Sequence, residues 1–238
     1  MMIARLARVL SLAVVLAFAS HAPARAQDIQ TQWEQHMRAG AQAYGLAQMD
    51  IATRELEAAL AIAEKNFAND DTKMINTWLN VVPLRRSQNK LAEAAAMGEL
   101  MLARLGKVAG ENAPDLMAPL VMVAATYRDM KDWANSDKHY QRTIALHDEY
   151  YGDAHPRTIT MLEDRAAMLG LAGRGPESLE LFADLVDRWQ YGLGPNHIRE
   201  AISRRGYADA LRKAGREADA AAQEKLADQI AIAWEGGR

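Results

Sequence analysis

The sequence predicts an all-α solenoid of about five antiparallel helix hairpins, and three observations predict it. Small residues at Ala52, Ala94, Ser136, Ser178 and Ala220 share one phase, each 42 residues from the next. Gly110, Gly152 and Gly194 recur at the same interval, and Pro114 and Pro156 follow the first two by four residues. No apolar–polar alternation is long enough for a sheet, and no Pro- or Ser-rich linker splits the chain. Small residues where backbones approach, with large ones where faces interlock, suit stacked helix pairs. The clearest copy is the stretch 131–146, KDWANSDKHYQRTIAL, in which Tyr140 corresponds to Leu56 and Phe182, and Ile144 to Leu60, Leu102 and Val186. Gly98 and Glu224 interrupt the first of these columns and Asp228 the second.

Taken in order, the chain opens with Arg5 and Arg8, an apolar run over Val9–Ala19 and the small-x-small triplet Ala24-Arg25-Ala26. That order of charge, short apolar run and small residues is expected of a cleaved signal peptide over residues 1–26, leaving the repeat domain at 27–238. The run is short for a transmembrane helix. An uncleaved anchor and a buried first helix are the alternatives.

The first hairpin is predicted over Ile29–Gln48 and Asp50–Phe67, where Trp33, Met37, Ala41 and Tyr44, then Ala52, Leu56, Ala59 and Ala63, form apolar stripes. Met74, Trp78, Val81, Val82 and Leu84 give the next helix its apolar face, with Asp71 or Thr72 as its cap. Pro83 is expected to kink that helix or end it early. Its partner is Leu91–Val108. The third hairpin pairs Asp115–Met130 with Trp133–Tyr151, the fourth Thr158–Leu171 with Pro176–Tyr191, and the fifth His197–Lys213 with Glu217–Trp234. Lys131-Asp132, Gly173-Arg174 and Gly215-Arg216 mark tight turns inside these pairs, and His155 and His197, in phase, suit capping or packing at the junctions between them.

Composition narrows the chemistry. Without Arg5, Arg8 and Arg25 the chain carries 25 basic against 31 acidic residues, a formal charge of −6. An acidic body disfavours nucleic-acid and anionic-membrane partners. With no cysteine, disulfides, iron–sulfur clusters and cysteine-bound zinc are excluded. His139 and His147 lie eight residues apart on one helix, about 12 Å at ~1.5 Å per residue, too far to share a metal. No nucleophile elbow, HExxH or phosphate loop occurs. No catalysis, cofactor or metal is therefore expected. The methionines Met101, Met122, Met130 and Met168 fall among aliphatic residues and are expected in the core.

Lys131-Asp132-Trp133 with Ser136, Tyr140 and Thr143-Ile144 resembles the second-helix motif of a tetratricopeptide repeat. The motif returns at Gly173-Arg174-Gly175 with Ser178 and Phe182, and at Gly215-Arg216-Glu217 with Ala220; Ala124 with Tyr127, Ala166 with Leu169 and Ala208 with Leu211 match the first helix. The spacing exceeds the ~34 residues of that unit and falls in the ~40–47 range of HEAT and armadillo repeats. A long unit with the junction Gly152-Asp153-Ala154-His155-Pro156 most resembles the repeats of kinesin light chains. HEAT-like pairing and a generic helical bundle are the alternatives.

The resemblance implies a right-handed superhelical solenoid whose first helices line a concave groove that holds a peptide or helix. Carried over by phase, its lining residues are Tyr44, Asn76, Arg86, Val121, Arg128, Asp129, Glu163, Arg205, Asp209 and Arg212. The arginines suit partner carboxylates. The resulting expectation is a non-catalytic protein-interaction scaffold or adaptor in the bacterial envelope, with a protein or peptide partner and a periplasmic location. Alternatives are an envelope assembly factor that self-associates through exposed aromatics such as Trp189, Tyr191 and Trp234, and, more weakly, a cell-wall hydrolase.

Overall fold

The computed structural model describes residues 26–194 and 196–236, and they are helical almost throughout. The signal segment expected at the N terminus lies outside the described residues. The helices are α1 (26–45), α2 (Met49–Asn66), α3 (Asp71–Ser87), α4 (Leu91–Ala109), α5 (Met117–Asp129), α6 (Trp133–Tyr151), α7 (Pro156–Leu171), α8 (Gly175–Leu193), α9 (Ile198–Lys213) and α10 (Glu217–Gly236), with a 3-10 turn at Pro114–Leu116 before α5. Two compact units divide the chain, one ending at Leu84 and the other spanning Arg85–Arg238.

One backbone turn is used five times. The N–H groups of Gln48, Lys90, Asp132, Arg174 and Arg216 each donate at 2.9 Å to the carbonyl five residues earlier, on Ala43, Arg85, Tyr127, Leu169 and Leu211. The residue just before each donor has a positive φ of 56° to 78°: Ala47, Asn89, Lys131, Gly173 and Gly215. This left-handed residue lets the chain reverse while its hydrogen bond caps the preceding helix. Only two of the five copies use glycine, so the turn is fixed by the pairs it joins more than by local preference. The expected turns at 131–132, 173–174 and 215–216 are present, and 47–48 and 89–90 complete the series.

In the first unit, Trp33 of α1 is buried, donates from Nε1 to Thr77 Oγ1 at 3.0 Å, and meets the Phe67 ring edge-on. Ala52, Leu56, Ala59 and Ala63 of α2 are fully buried, as the stripe required. Pro83 does not end α3 early. The helix continues to Ser87, because Val81, Val82 and Leu84 around the proline are all fully buried and their packing offsets one missing hydrogen bond.

In the second unit each helix from α4 to α10 packs on its neighbours in sequence, and α7 also touches α9. The small-residue column sits at the helix crossings: Ala94, Ser136, Ser178 and Ala220 are all essentially buried. Ser136 Oγ donates to the Ala124 carbonyl at 3.0 Å, and Ser178 Oγ to that of Ala166 at 2.8 Å. These serines therefore close their own hairpin. Tyr140 reaches the next one, packing on Met168 and Leu169, and Ile144 packs against the cluster of Ile159, Leu162 and Phe182. Gly98, out of place in the Tyr140 column, has a physical reason: a Cβ there would stand 2.6 Å from Val123 Cγ2. Met101 and Met168 are core residues as expected, Met122 is half-buried, and Met130 at the end of α5 is exposed.

The junction histidines cap helices. His155 Nδ1 accepts the Arg157 N–H, and His197 Nδ1 that of Arg199, both at 3.2 Å. The histidines of α6 are buried instead. His139 Nε2 lies 2.8 Å from Glu99 Oε1, which also accepts the Tyr127 hydroxyl at 3.0 Å, while the Tyr127 ring stacks on the imidazole. Burial, followed by the hydrogen bond to Glu99 and then that carboxylate's charge, pushes the Tyr127 phenol up to about 12.

Burial lowers the affinity of His139 and His147 for a proton, although Glu99 opposes the shift at His139, and Nδ1 of each is buried without a partner. The folded chain thus binds fewer protons at these sites than the unfolded chain. Stability should fall as pH drops below about 6.5, by up to ~1.4 kcal/mol per pH unit for each imidazole, until the native groups also titrate. Urea midpoints measured between pH 7.5 and 5 are expected to slope less steeply in His139→Gln,His147→Gln than in the parent; equal slopes would assign the acid sensitivity elsewhere.

Candidate binding surface

Two first helices of the second unit, α5 and α7, border an open cleft of about 480 Å3, formed where Pro114, Met117, Ala118 and Val121 face Arg157 and Met161 of α7, with His147 and Tyr151 of α6 beside them. Its lining is largely apolar, with Asp115, His147 and Arg157 as polar groups. His147 is 8% exposed, and its Nδ1 is buried without a hydrogen-bond partner. Arg157 is held by Tyr151, whose hydroxyl accepts from Nη1 at 3.0 Å and whose ring lies under the guanidinium. Tyr151 in turn stacks on His155, 4.8 Å between centroids. His147 and Tyr151 lie one turn apart on α6, whereas His155 joins the row from beyond the helix end, as the N-cap of α7.

A second polar group forms near the C-terminal ends of the first helices. Arg86 Nε donates to Asp129 Oδ2 at 2.6 Å, and Arg128 Nη2 to Asp129 Oδ1 at 3.4 Å. The buried Tyr140 phenol lies within the field of this set and of Asp164; burial, then Asp164, raises its affinity for its proton. Asp164 itself is raised by burial, against the pull of Arg128.

The residues expected to line a groove are therefore distributed. Val121 faces the cleft. Arg86, Arg128 and Asp129 meet one another. Glu163 sits deeper, taking hydrogen bonds from Trp189 Nε1 at 3.2 Å and from Ser203 Oγ; burial raises its carboxyl, with those two donors opposing. Arg205 is turned to α10, donating to Asp228 at 3.2 Å, and Arg212 pairs with Asp209, Glu217 and Glu224. In the first unit, Tyr44 is half-buried with its hydroxyl 3.4 Å from the Pro83 carbonyl, and Asn76 is exposed. Asp115, His147, Tyr151, Arg157 and Met161 are among the lining residues that phase alone did not select.

Trp189 is not an exposed handle: its side chain is fully buried, and Nε1 donates to Ser203 Oγ at 2.6 Å. It falls on the inner face of α8, one turn beyond Leu185 in the same core cluster. Trp234 is half-buried with its ring edge toward His197, and the Tyr191 side chain lies outside the described residues. Asp137 ties α6 to α7 and to the turn before α8. Burial works to raise its carboxyl, but hydrogen bonds from Arg165 and Arg174, each 2.6 Å, outweigh it and hold the group below the usual range. Among the described residues, no group of three acids or histidines is placed to hold a metal, and no helix is long and apolar enough to cross a membrane.

The tetratricopeptide-repeat family model matches residues 115–174 and 158–227. With the five turns and the in-phase columns, that makes this a tetratricopeptide-repeat protein, a non-catalytic scaffold of the kind that binds proteins or peptides. Its repeats have the kinesin-light-chain-like form. The fold is similar to that of a Podosopora anserina protein assigned as a kinesin light chain with nearly identical TPR-like repeats, at a TM-score of 0.73 and 18% identity over 86% of this chain and 95% of that one. BtubC (BKLC) from P. vanneervenii is similar at 0.61 and 12%, over 87% and 92%, and MamA at 0.56 and 14%, over 84% and 91%. No curated protein matches the chain.

Proposed function

We propose that this protein is a scaffold or adaptor of the bacterial cell envelope that holds a peptide or helix of a partner protein against the first helices of its repeats. The observation that carries this reading is the cleft between α5 and α7, apolar along Met117, Val121 and Met161 and polar at His147 and Arg157. An apolar recess with a few fixed polar groups suits an anchoring side chain and the peptide backbone beside it. The envelope location rests on the charge, apolar-run and small-residue order of the first 26 residues.

Proteins captured from an envelope extract by the parent chain should be lost with Val121→Asp, by about tenfold or more, a cost of ~1.4 kcal/mol. They should be retained with Arg205→Ala, since Arg205 is turned to α10. Equal capture by the Val121 variant overturns the cleft as the binding surface. Release of the tagged chain by osmotic shock is the expected result for location, and retention inside spheroplasts would place it elsewhere.

A further inference from the structure

A second cavity, sharing no residue with the cleft, opens where α8 begins. It has a volume of about 290 Å3 and is lined by Gly170, Gly173, Gly175, Ser178, Leu179, Ala210, Lys213 and Ala214, with Pro176 at its edge. That is many times the ~30 Å3 share of one water. The repeat explains why the space exists. One repeat earlier, Trp133 fills the corresponding position and packs beside Tyr140, Met168, Leu169 and Ala172. Forty-two residues on, Trp133 becomes Gly175, Met168 becomes Ala210 and Ala172 remains alanine as Ala214; the last two line the cavity. The same column holds Met49 and Leu91 in the first two hairpins and Glu217 in the last. Gly175 alone leaves it without a side chain.

We propose that this vacancy receives the tryptophan side chain of a partner polypeptide, which occupies the fourth hairpin as Trp133 occupies the third. The lining supplies what an indole needs. Leu179, Ala210 and Ala214 bury its faces, and the Lys213 ammonium, which has no carboxylate partner among the described residues, stands at the mouth for a cation–π contact. The last turn of α7 forms one wall at Gly170. An adjoining recess lined by Ala167, Phe182, Gly206 and Asp209 continues from Gly170, Ser178 and Ala210 and gives the flanking residues of such a segment a path.

The test is a titration of the intact chain with N-acetyl-tryptophanamide, followed through the amide resonances of Gly170, Gly173 and Gly175. Saturable shifts at these three are expected, with a Kd on the order of 1 mM for so small a probe. N-acetyl-leucinamide should bind about fivefold more weakly, and Lys213→Ala should cost the indole a similar factor. Gly175→Trp should abolish the shifts by filling the site. Ala210→Met, which restores the residue found beside Trp133, should weaken them and serves if the first variant folds poorly. Absent or unsaturable shifts, or shifts unchanged in both variants, overturn the proposal. So does a parent chain that self-associates in light scattering and becomes monomeric as Gly175→Trp, because the occupant is then a second copy.

Discussion

Trp189→Ala is expected to destabilise the second unit by about 3–5 kcal/mol, the range for truncating a large buried aromatic. The indole is fully buried among Ile159, Leu162, Phe182 and Leu185, so its removal leaves a void between α7 and α8. It also removes a donor from Glu163 and Ser203, the polar link joining α7, α8 and α9. Trp189→Phe bears mainly on the second contribution, since it keeps most of the bulk but loses the N–H together with part of the ring. Its cost should be about 1–3 kcal/mol, that of leaving buried polar groups short of a partner. Denaturation followed by circular dichroism measures both. A Trp189→Ala midpoint close to the parent's would mean that the fourth and fifth hairpins do not depend on this core.

Ser136→Trp should be of comparable severity for the opposite reason. Ser136 is fully buried where α6 crosses α5, and its hydroxyl reaches the Ala124 carbonyl. No indole fits there without parting the helices, and overpacking of this kind costs about 3 kcal/mol or more. Ser136→Ala should cost little, about 0.5–1.5 kcal/mol for the lost hydrogen bond, because Ala52, Ala94 and Ala220 already fill the same column. Urea unfolding of the two variants distinguishes steric from polar loss. Cooperative unfolding of Ser136→Trp near the parent midpoint would overturn the crossing geometry.

The sequence read the repeat well because the repeat is a packing constraint. Every copy must place a small side chain at the same crossing, so the column from Ala52 to Ala220 and the turns at 131, 173 and 215 are written as spacing. Surface chemistry follows no such rule. Phase placed Arg205 and Arg212 on the same face as Arg128, yet in the last hairpin Asp228 and Glu224 replace the aliphatic and aromatic residues of their columns, and these acids draw both arginines toward α10. Trp189 looked like a surface handle because a lone aromatic near a helix end has no periodic signature of its own. His147, Tyr151 and Arg157 were visible only as separate residues, since they meet across a junction.

The sequence by itself determined the all-α class, the 42-residue unit, most helix limits and the residues at each crossing. All of these follow from the 3.6-residue periodicity and from the exclusion of bulk where backbones meet. The tertiary structure alone decided which polar side chains remain available. A carboxylate or guanidinium is directed by the nearest opposite charge, and that neighbour comes from another helix. It also decided that Gly175, at the start of α8, borders a cavity where the preceding repeat carries Trp133, because a missing side chain becomes a cavity only when the walls around it are held in place.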